Sequence, residues 1–278
     1  MISWHSSTVD TGQVRLHVQS AGQGKPIIML HGMTDSGNCW KPFANQLATQ
    51  YAVYLVDARG HGQSTHQHNR VAHVDQVEDV RALIELLRIE SPIIVGHSMG
   101  AMVAYIAACS YPTHIRAVVL EDPRFRPITL DTEEQRALAR QQVWQWIDAL
   151  QVCSLDAVIR RCISENPTWR AAELVAWAEA KHALAPRLQW EDVRNMVSWQ
   201  HRISALVVPT LLITADETRG GLVSAPVAAE VRQRSSWVEI AHVRNVGHCI
   251  RREAPDAYAA MVTEFIRRHT SDRKGVPS

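Results

Sequence analysis

A chain of 278 residues is long enough for one large α/β domain carrying an insertion and too long for a minimal module. Its 46% hydrophobic and 21% charged residues exclude a disordered, collagen-like or coiled-coil protein. Lys plus Arg number 29 against 28 for Asp plus Glu, a formal net charge of +1, so no basic excess exists to neutralise a nucleic-acid backbone and no nucleic-acid partner is expected.

In chain order, residues 1–18 mix Trp4, His5, Asp10 and Arg15 with apolar positions and lack the uninterrupted apolar segment of a signal peptide. Residues 14–20 read as an antiparallel edge strand. From Pro26 to Leu120, short apolar runs alternate with amphipathic or small-residue helices, the pattern of parallel βαβ units. The strands fall at 27–31, 52–57, 92–96 and 115–120, and the helices at 40–49, 74–87 and 99–111. These strands are nearly continuous in apolar residues, as strands buried on both faces are.

From about 124 to 201 the strand pattern is lost and helix formers accumulate with Trp144, Trp146, Trp169, Trp177, Trp190 and Trp199, which reads as a helical insertion acting as a lid. The sheet pattern resumes at 206–214 and 237–243, with helices at 226–234 and 255–269. Residues 1–123 and 202–270 therefore form one core, 124–201 the lid and 271–278 a flexible tail. The fold class that follows is α/β: a mostly parallel, doubly wound sheet with an inserted helical lid. No apolar run approaches the roughly 20 residues that cross a bilayer, so the expectation is a cytoplasmic monomer or homodimer without membrane contact. Cys39, Cys109, Cys153, Cys162 and Cys249 are odd in number and contain no CxxC pair, which points to reduced packing cysteines and no metal site.

Gly96-His97-Ser98-Met99-Gly100 stands between a predicted strand and a predicted helix, the context of the Gly-x-Ser-x-Gly elbow. A serine on so sharp a turn takes a strained backbone, and flanking glycines remove Cβ atoms that would clash there. Its Oγ is lifted off the sheet edge, at the positive dipole end of the following helix, where an oxyanion can develop. His31-Gly32-Met33 follows the first long parallel strand, and the N–H groups of Met33 and Met99 together could hold that oxyanion. His31 itself is expected to hydrogen-bond within its loop. Of fourteen histidines, His248 in Asn245-Val246-Gly247-His248 is the best placed base, because it lies between the last strand and the last helix at the same sheet edge as Ser98. The others are expected in structural or surface roles, with His182 and His201 as candidate pocket liners.

Four motifs, His31-Gly32, Asp57-Ala58-Arg59-Gly60-His61-Gly62-Gln63-Ser64, the elbow and Gly247-His248, carry a resemblance to the α/β-hydrolase fold superfamily that covers nearly the whole chain. The resemblance implies Ser98 as nucleophile, His248 as base, oxyanion donors at Met33 and Met99, and a structural loop braced by Asp57 and Arg59. The acid departs from the usual pattern. Most members carry an Asp two or three residues into the turn after the strand corresponding to 211–214; here Ala215-Asp216-Glu217-Thr218 follows, with Thr218 in the acid's register. Asp216 serves if that loop is shorter. Haloalkane dehalogenases and zearalenone-type lactonases include members with a Glu directly after the strand corresponding to 115–120, which makes Glu121 the first candidate, Asp216 the second and Asp122 the third. Asp122-Pro123 otherwise reads as a turn that ends the strand.

A serine at the elbow excludes, by the same resemblance, dehalogenases and epoxide hydrolases, which place an Asp there. The expected activity is that of a serine esterase or lactonase, cleaving a small-molecule apolar or aromatic ester or lactone through an acyl-enzyme on Ser98, with no cofactor. The apolar preference rests on Met33, Met99 and Met102 and on the insertion, where Trp144, Trp169, Trp177 and Trp190 are the candidate substrate contacts. Two rival readings stand beside it. One is a carbon-carbon bond hydrolase of ring-fission diketones, with Arg124, Arg126 or Arg187 clamping a carboxylate, and the other is a ligand-sensing protein on the same scaffold.

Overall fold

The apolar runs of the sequence become the strands of one twisted sheet whose central members are buried on both faces by helices, while the edge strand Val238–His242 is buried only at Val238. The computed structural model describes residues 2–65, 70–125, 132–185, 188–190 and 198–271. In chain order the elements are β1 (His5–Asp10), β2 (Arg15–Ala21), β3 (Pro26–Leu30), α1 (Lys41–Leu47), β4 (Ala52–Val56), a short β5 (Arg70–Val71) and α2 (His73–Leu86). There follow β6 (Ile93–His97), α3 (Met99–Ser110), β7 (Ala117–Glu121) and three helices, α4 (Glu133–Gln151), α5 (Leu155–Glu165) and α6 (Ala171–Ala183). Next come β8 (Gln189–Trp190), α7 (Trp199–Arg202), β9 (Thr210–Thr214), α8 (Ala225–Arg234), β10 (Val238–His242), α9 (Ile250–Glu253) and α10 (Pro255–Thr270).

Eight strands pair in the order β1-β2-β4-β3-β6-β7-β9-β10, while β5 and β8 form a separate two-stranded pair. The strand pairs from β4 to β10 are parallel, and β2 runs antiparallel to both of its neighbours. Strand alternation sends Ile28, Ile94, Val118 and Leu212 to one face, against Val80 and Leu83 of α2, Tyr105 of α3 and Val231 of α8. Ile27, Met29, Val95, Val119 and Ile213 go to the other, against Phe43 and Leu47 of α1 and Tyr258, Val262 and Phe265 of α10. Each such fully buried side chain contributes about 1.5–3 kcal/mol.

Two boundaries differ from the sequence expectation. The predicted edge strand is interior: β2 lies between β4 and β1, and β1 escapes a periodicity search because only Val9 of its six residues is buried. The predicted strand at 206–214 begins only at Thr210, since Pro209 offers no N–H to a ladder and the residues Ile203–Ala205 form a short 3-10 turn. Between β7 and β9, helices α4 to α6 build a small core of their own from Leu150, Val158, Cys162, Leu174, Trp177 and Ala178. Among the described residues no helix is long and apolar enough to cross a membrane. All five cysteines are free. Residues 272–278 of the expected tail lie outside the described residues.

Candidate active site

Strand β6 ends at His97 and α3 begins at Met99, so Ser98 alone makes the turn, with φ 53° and ψ −108°. A serine rarely adopts positive φ, and this one is held there by its N–H on the Glu121 carbonyl (2.9 Å) and by Gly100 N–H on the His31 carbonyl (3.1 Å). A Cβ on Gly96 would overlap the Gly100 carbonyl, and one on Gly100 the Leu30 carbonyl, so the close approach of β6, α3 and β3 requires both glycines. Ser98 remains partly exposed while the residues on both sides are buried. The Met99 N–H belongs to the first turn of α3, whose amides have no intrahelical acceptor.

Facing the elbow, Gly32 to Asp35 form a tight turn closed by Asp35 N–H on the Gly32 carbonyl at 3.1 Å. His31 stays within its loop, as expected: Nδ1 donates to the Gly32 carbonyl (2.8 Å) and Nε2 accepts from Ala58 N–H (3.0 Å). Burial holds its pKa down, which suits that neutral tautomer. His61 is buried too, with its pKa pushed down to about 4 by burial. Its single ring proton is assigned to the shorter contact, Nε2 to the Met33 carbonyl at 2.7 Å.

His248 follows β10 and presents Nδ1 to Asp122 Oδ2 at 2.7 Å, which leaves Nε2 free of that bond and able to accept a proton. Asp122 is fully buried and is the first residue past β7, at φ 44°. Its carboxylate also accepts Leu222 N–H on both oxygens (3.1 and 2.9 Å) and Val223 N–H at 3.2 Å. Four donor contacts thus compensate a buried charge that would otherwise cost several kcal/mol. Beside His248 lies the buried ring of His97, at 4.7 Å between centroids, with Nε2 donating to the His248 carbonyl at 3.1 Å. Burial first, then His248 and Arg251, hold His97 well below the usual imidazole range, so it is neutral. Burial pushes the neighbouring Cys249 thiol up to about 11, leaving it protonated at neutral pH and a poor rival nucleophile.

The other two carboxylates are engaged elsewhere. Glu121, the first candidate for the acid, is the last residue of β7 and so faces away from Asp122, where it accepts Arg251 N–H (2.8 Å) and Arg251 Nη1 (3.3 Å). Asp216 binds His242 Nε2 (3.0 Å) and Asn245 N–H (2.6 Å), bracing the loop that leads to His248. The chain turns at Asp122-Pro123, as the turn reading has it, and positive φ at Asp122 aims the carboxylate at His248.

The candidate substrate contacts fare differently. Trp177 is buried in the core of α4–α6, its ring 6.0 Å from Trp146 and 6.2 Å from Trp169, with the Lys181 ammonium 4.6 Å above it. Trp169 lies under the Arg252 guanidinium at 4.8 Å, and Trp144 packs beside Ile147, Leu184 and Leu188. His182 Nε2 donates to the Leu150 carbonyl at 3.2 Å, between α4 and α6, and His201 is exposed. Arg126, Arg187 and the Trp190 side chain lie outside the described residues. Among the described residues no cluster of His, Cys, Asp and Glu is arranged to hold a metal ion.

Sequence reasoning missed the buried charges around this site: Asp35, Glu173, Lys181, Arg251 and Arg252 are all at most 4% exposed. The adjacent pair Arg251-Arg252, three and four residues after His248, was the available signal.

A family model described as alpha/beta hydrolase fold matches residues 25–153. Over 94% of its length the chain is 26% identical to a 2-(acetamidomethylene)succinate hydrolase of Mesorhizobium japonicum, covering 95% of that protein. It is also 26% identical to an N-formylmaleamate deformylase of Pseudomonas putida, over 93% of this chain and 95% of the relative. The crystal structure of an E-2-(acetamidomethylene)succinate hydrolase superposes with a TM-score of 0.75 at 23% identity, covering 95% of this chain and all of that one.

Proposed function

We infer that the chain, an α/β-hydrolase fold protein by its sheet order and its relatives, is a serine hydrolase with Ser98 as nucleophile, His248 as base and Asp122 as acid. The observation that carries this reading is the 2.7 Å contact between His248 Nδ1 and a buried, fourfold-bonded Asp122, next to a serine held at φ 53°. Asp122 fixes the tautomer that leaves Nε2 basic and stabilises the imidazolium that forms.

In this mechanism Ser98 Oγ attacks the substrate carbonyl and its proton passes to His248 Nε2. The developing oxyanion takes the N–H groups of Met33 and Met99. His248 then returns the proton to the leaving alkoxide or amine as the tetrahedral intermediate collapses to an acyl-enzyme. A water, deprotonated by His248, releases the acid and restores Ser98. Helices α4 to α6 form the lid over this site.

Carboxylic esters and lactones remain the first substrate class. Trp177, buried in the α4–α6 core under Lys181, and Trp169, under Arg252, give an aromatic preference no support of their own, so it rests on Trp144, Trp190 and the methionines near the elbow. The two nearly full-length relatives are named for an acetamidomethylene succinate and for N-formylmaleamate, which extends the class to small acyl groups carried on nitrogen.

The test is a fluorophosphonate reaction read by intact mass, beside turnover of p-nitrophenyl esters, lactones and small N-acyl compounds. Wild type should gain one phosphonyl group and turn over at least one acyl class, and Ser98→Ala should do neither. Labelling that persists in Ser98→Ala removes Ser98 as nucleophile. Labelling of wild type with no acyl turnover overturns the ester and N-acyl assignment in favour of carbon-carbon hydrolysis or ligand sensing.

A further inference from the structure

We propose that Lys181, on the inserted helix α6, is a positioning residue that aims the Met33 N–H at the oxyanion; this rests on the serine-hydrolase reading above. Four successive carbonyls of the turn are held in place. Gly100 N–H takes that of His31 (3.1 Å), Asp35 N–H and His31 Nδ1 take that of Gly32 (3.1 and 2.8 Å), and His61 Nε2 takes that of Met33 (2.7 Å). The fourth, Thr34, accepts from Lys181 Nζ at 2.6 Å, across 147 positions of sequence.

Peptide planarity turns that last contact into control of the donor. The Thr34 carbonyl and the Asp35 N–H belong to one rigid trans unit and point in opposite directions, so fixing the first aims the second. Asp35 N–H in turn binds the Gly32 carbonyl, which shares its own rigid unit with Met33 N–H. Lys181 therefore sets two linked planes, and the second carries the catalytic amide.

The ammonium is fully buried and does more than fill space. Besides Thr34 it binds Asp35 Oδ1 at 3.0 Å and caps the Trp177 ring. Asp35 Oδ2 takes Arg252 Nη2 at 2.9 Å, and Arg252 Nε reaches Glu173 Oε2 at 3.3 Å, at the other end of α6. Burial alone would raise the Asp35 carboxyl, but Arg252 and Lys181 outweigh it and hold the group well below the usual range, so Asp35 is charged. Replacing a whole buried ion network by apolar residues is often neutral for stability, whereas removing the lysine alone leaves Asp35 with one cation fewer and lowers the melting temperature. What the lysine adds is direction at the carbonyl of Thr34.

An oxyanion donor acts on the transition state more than on bound substrate, so its misalignment lowers kcat and spares KM. The experiment compares wild type, Lys181→Met, Glu173→Gln and Ser98→Ala by kcat, KM, thermal melting and the Ki of a trifluoromethyl ketone whose serine adduct presents an oxyanion. Lys181→Met should lose about tenfold or more in kcat, against the 10²–10³ of removing a donor outright. Its KM should stay within about twofold, with ketone affinity falling in step with kcat/KM. Glu173→Gln, which touches Arg252 and not the turn, should melt lower and keep its kcat. If Lys181→Met does not fold, Lys181→Gln, too short to reach Thr34, is read in the same way. Normal kcat and ketone affinity in the lysine variant, or an equal kcat loss in Glu173→Gln, overturns the proposal. A Ser98→Ala enzyme that still turns over overturns the underlying reading instead, so the two failures are distinct.

Discussion

Replacing Asp122 by Asn separates the acid proposed for the triad from its neighbour Glu121 with one atom exchanged. Oδ1 of Asp122 accepts Leu222 and Val223 N–H at 3.1 and 3.2 Å, so the amide oxygen of the substituted side chain must stay on that side. The new NH2 then occupies the Oδ2 position, which faces His248 Nδ1 at 2.7 Å and Leu222 N–H at 2.9 Å. An amide donor there forces the proton of His248 onto Nε2, the tautomer that cannot take the proton of Ser98. The expected loss is roughly 10⁴-fold in kcat, or about 5.4 kcal/mol of barrier, with substrate binding little changed. Glu121→Gln should behave in the opposite way. It removes one charge of a fully buried pair with Arg251 and should cost up to about 3–5 kcal/mol of stability while kcat below the melting temperature stays within a few-fold. The assay is steady-state ester or N-acyl turnover beside thermal melting for both variants. A folded Glu121→Gln protein that loses as much kcat as Asp122→Asn refutes the assignment, because no tautomer argument reaches His248 through Glu121.

Asp216→Asn should retain kcat within about tenfold in the same turnover assay, since its partners are His242 and Asn245; a collapse to the level of Asp122→Asn would restore Asp216 as the acid. Trp177→Phe should lower stability in urea titration by about 1–2 kcal/mol and leave KM within about twofold, as for a packing residue; a large KM rise would return it to the substrate pocket. Asp57 gives a pH prediction. Burial raises its carboxyl, but His17 and the N–H groups of Gln63 and Gly37 outweigh burial and leave it below the ordinary value of 3.8. The stabilisation is therefore complete above pH 3.8 and is lost as pH falls through the lower folded-state value. Asp57→Asn should be less stable than wild type by about 2 kcal/mol near neutrality, with the gap shrinking below pH 3.8 in urea titrations at several pH values; a gap constant to the acid limit would contradict this.

The parts of the fold legible in the sequence are those where burial on both faces leaves a continuous apolar run. Strands β3, β4, β6 and β7 are such runs, and their boundaries shift by only one or two residues. Strand β1 was not legible, since an edge strand with one buried side chain has no two-fold pattern to detect. The elbow was legible because a serine between two close-packed glycines answers a steric requirement local in sequence. The choice of acid was not. Glu121 and Asp122 differ by one position, and which carboxylate meets His248 depends on whether the chain is still in strand geometry at 121 and turns to positive φ at 122. Composition cannot resolve a one-residue change of face.

The buried charges show a different limit. Lys181 is 146 positions from Asp35, and Arg252 is 217 positions from it, so no spacing rule links them. Taken singly, each reads as a solvated residue, because Lys, Arg, Asp and Glu are rarely buried unless paired. Their pairing also changes the meaning of the insertion. A helix joined to the sheet only by apolar contacts can slide at small cost, but α6 is tied at Glu173 and Lys181 to Arg252 and Asp35. Moving it away would break Lys181 from Asp35 and Glu173 from Arg252, leaving Asp35 and Arg252 only each other, and poorly compensated buried charge costs several kcal/mol per ion. Helix α6 is thus fixed to the core, and under the lid reading any movement of the insertion comes from elements other than this one. Hydrogen exchange should then show α6 amides protected close to the global unfolding limit and α4 amides exchanging sooner. Equal, fast exchange in both helices would mean that the charges do not restrain α6.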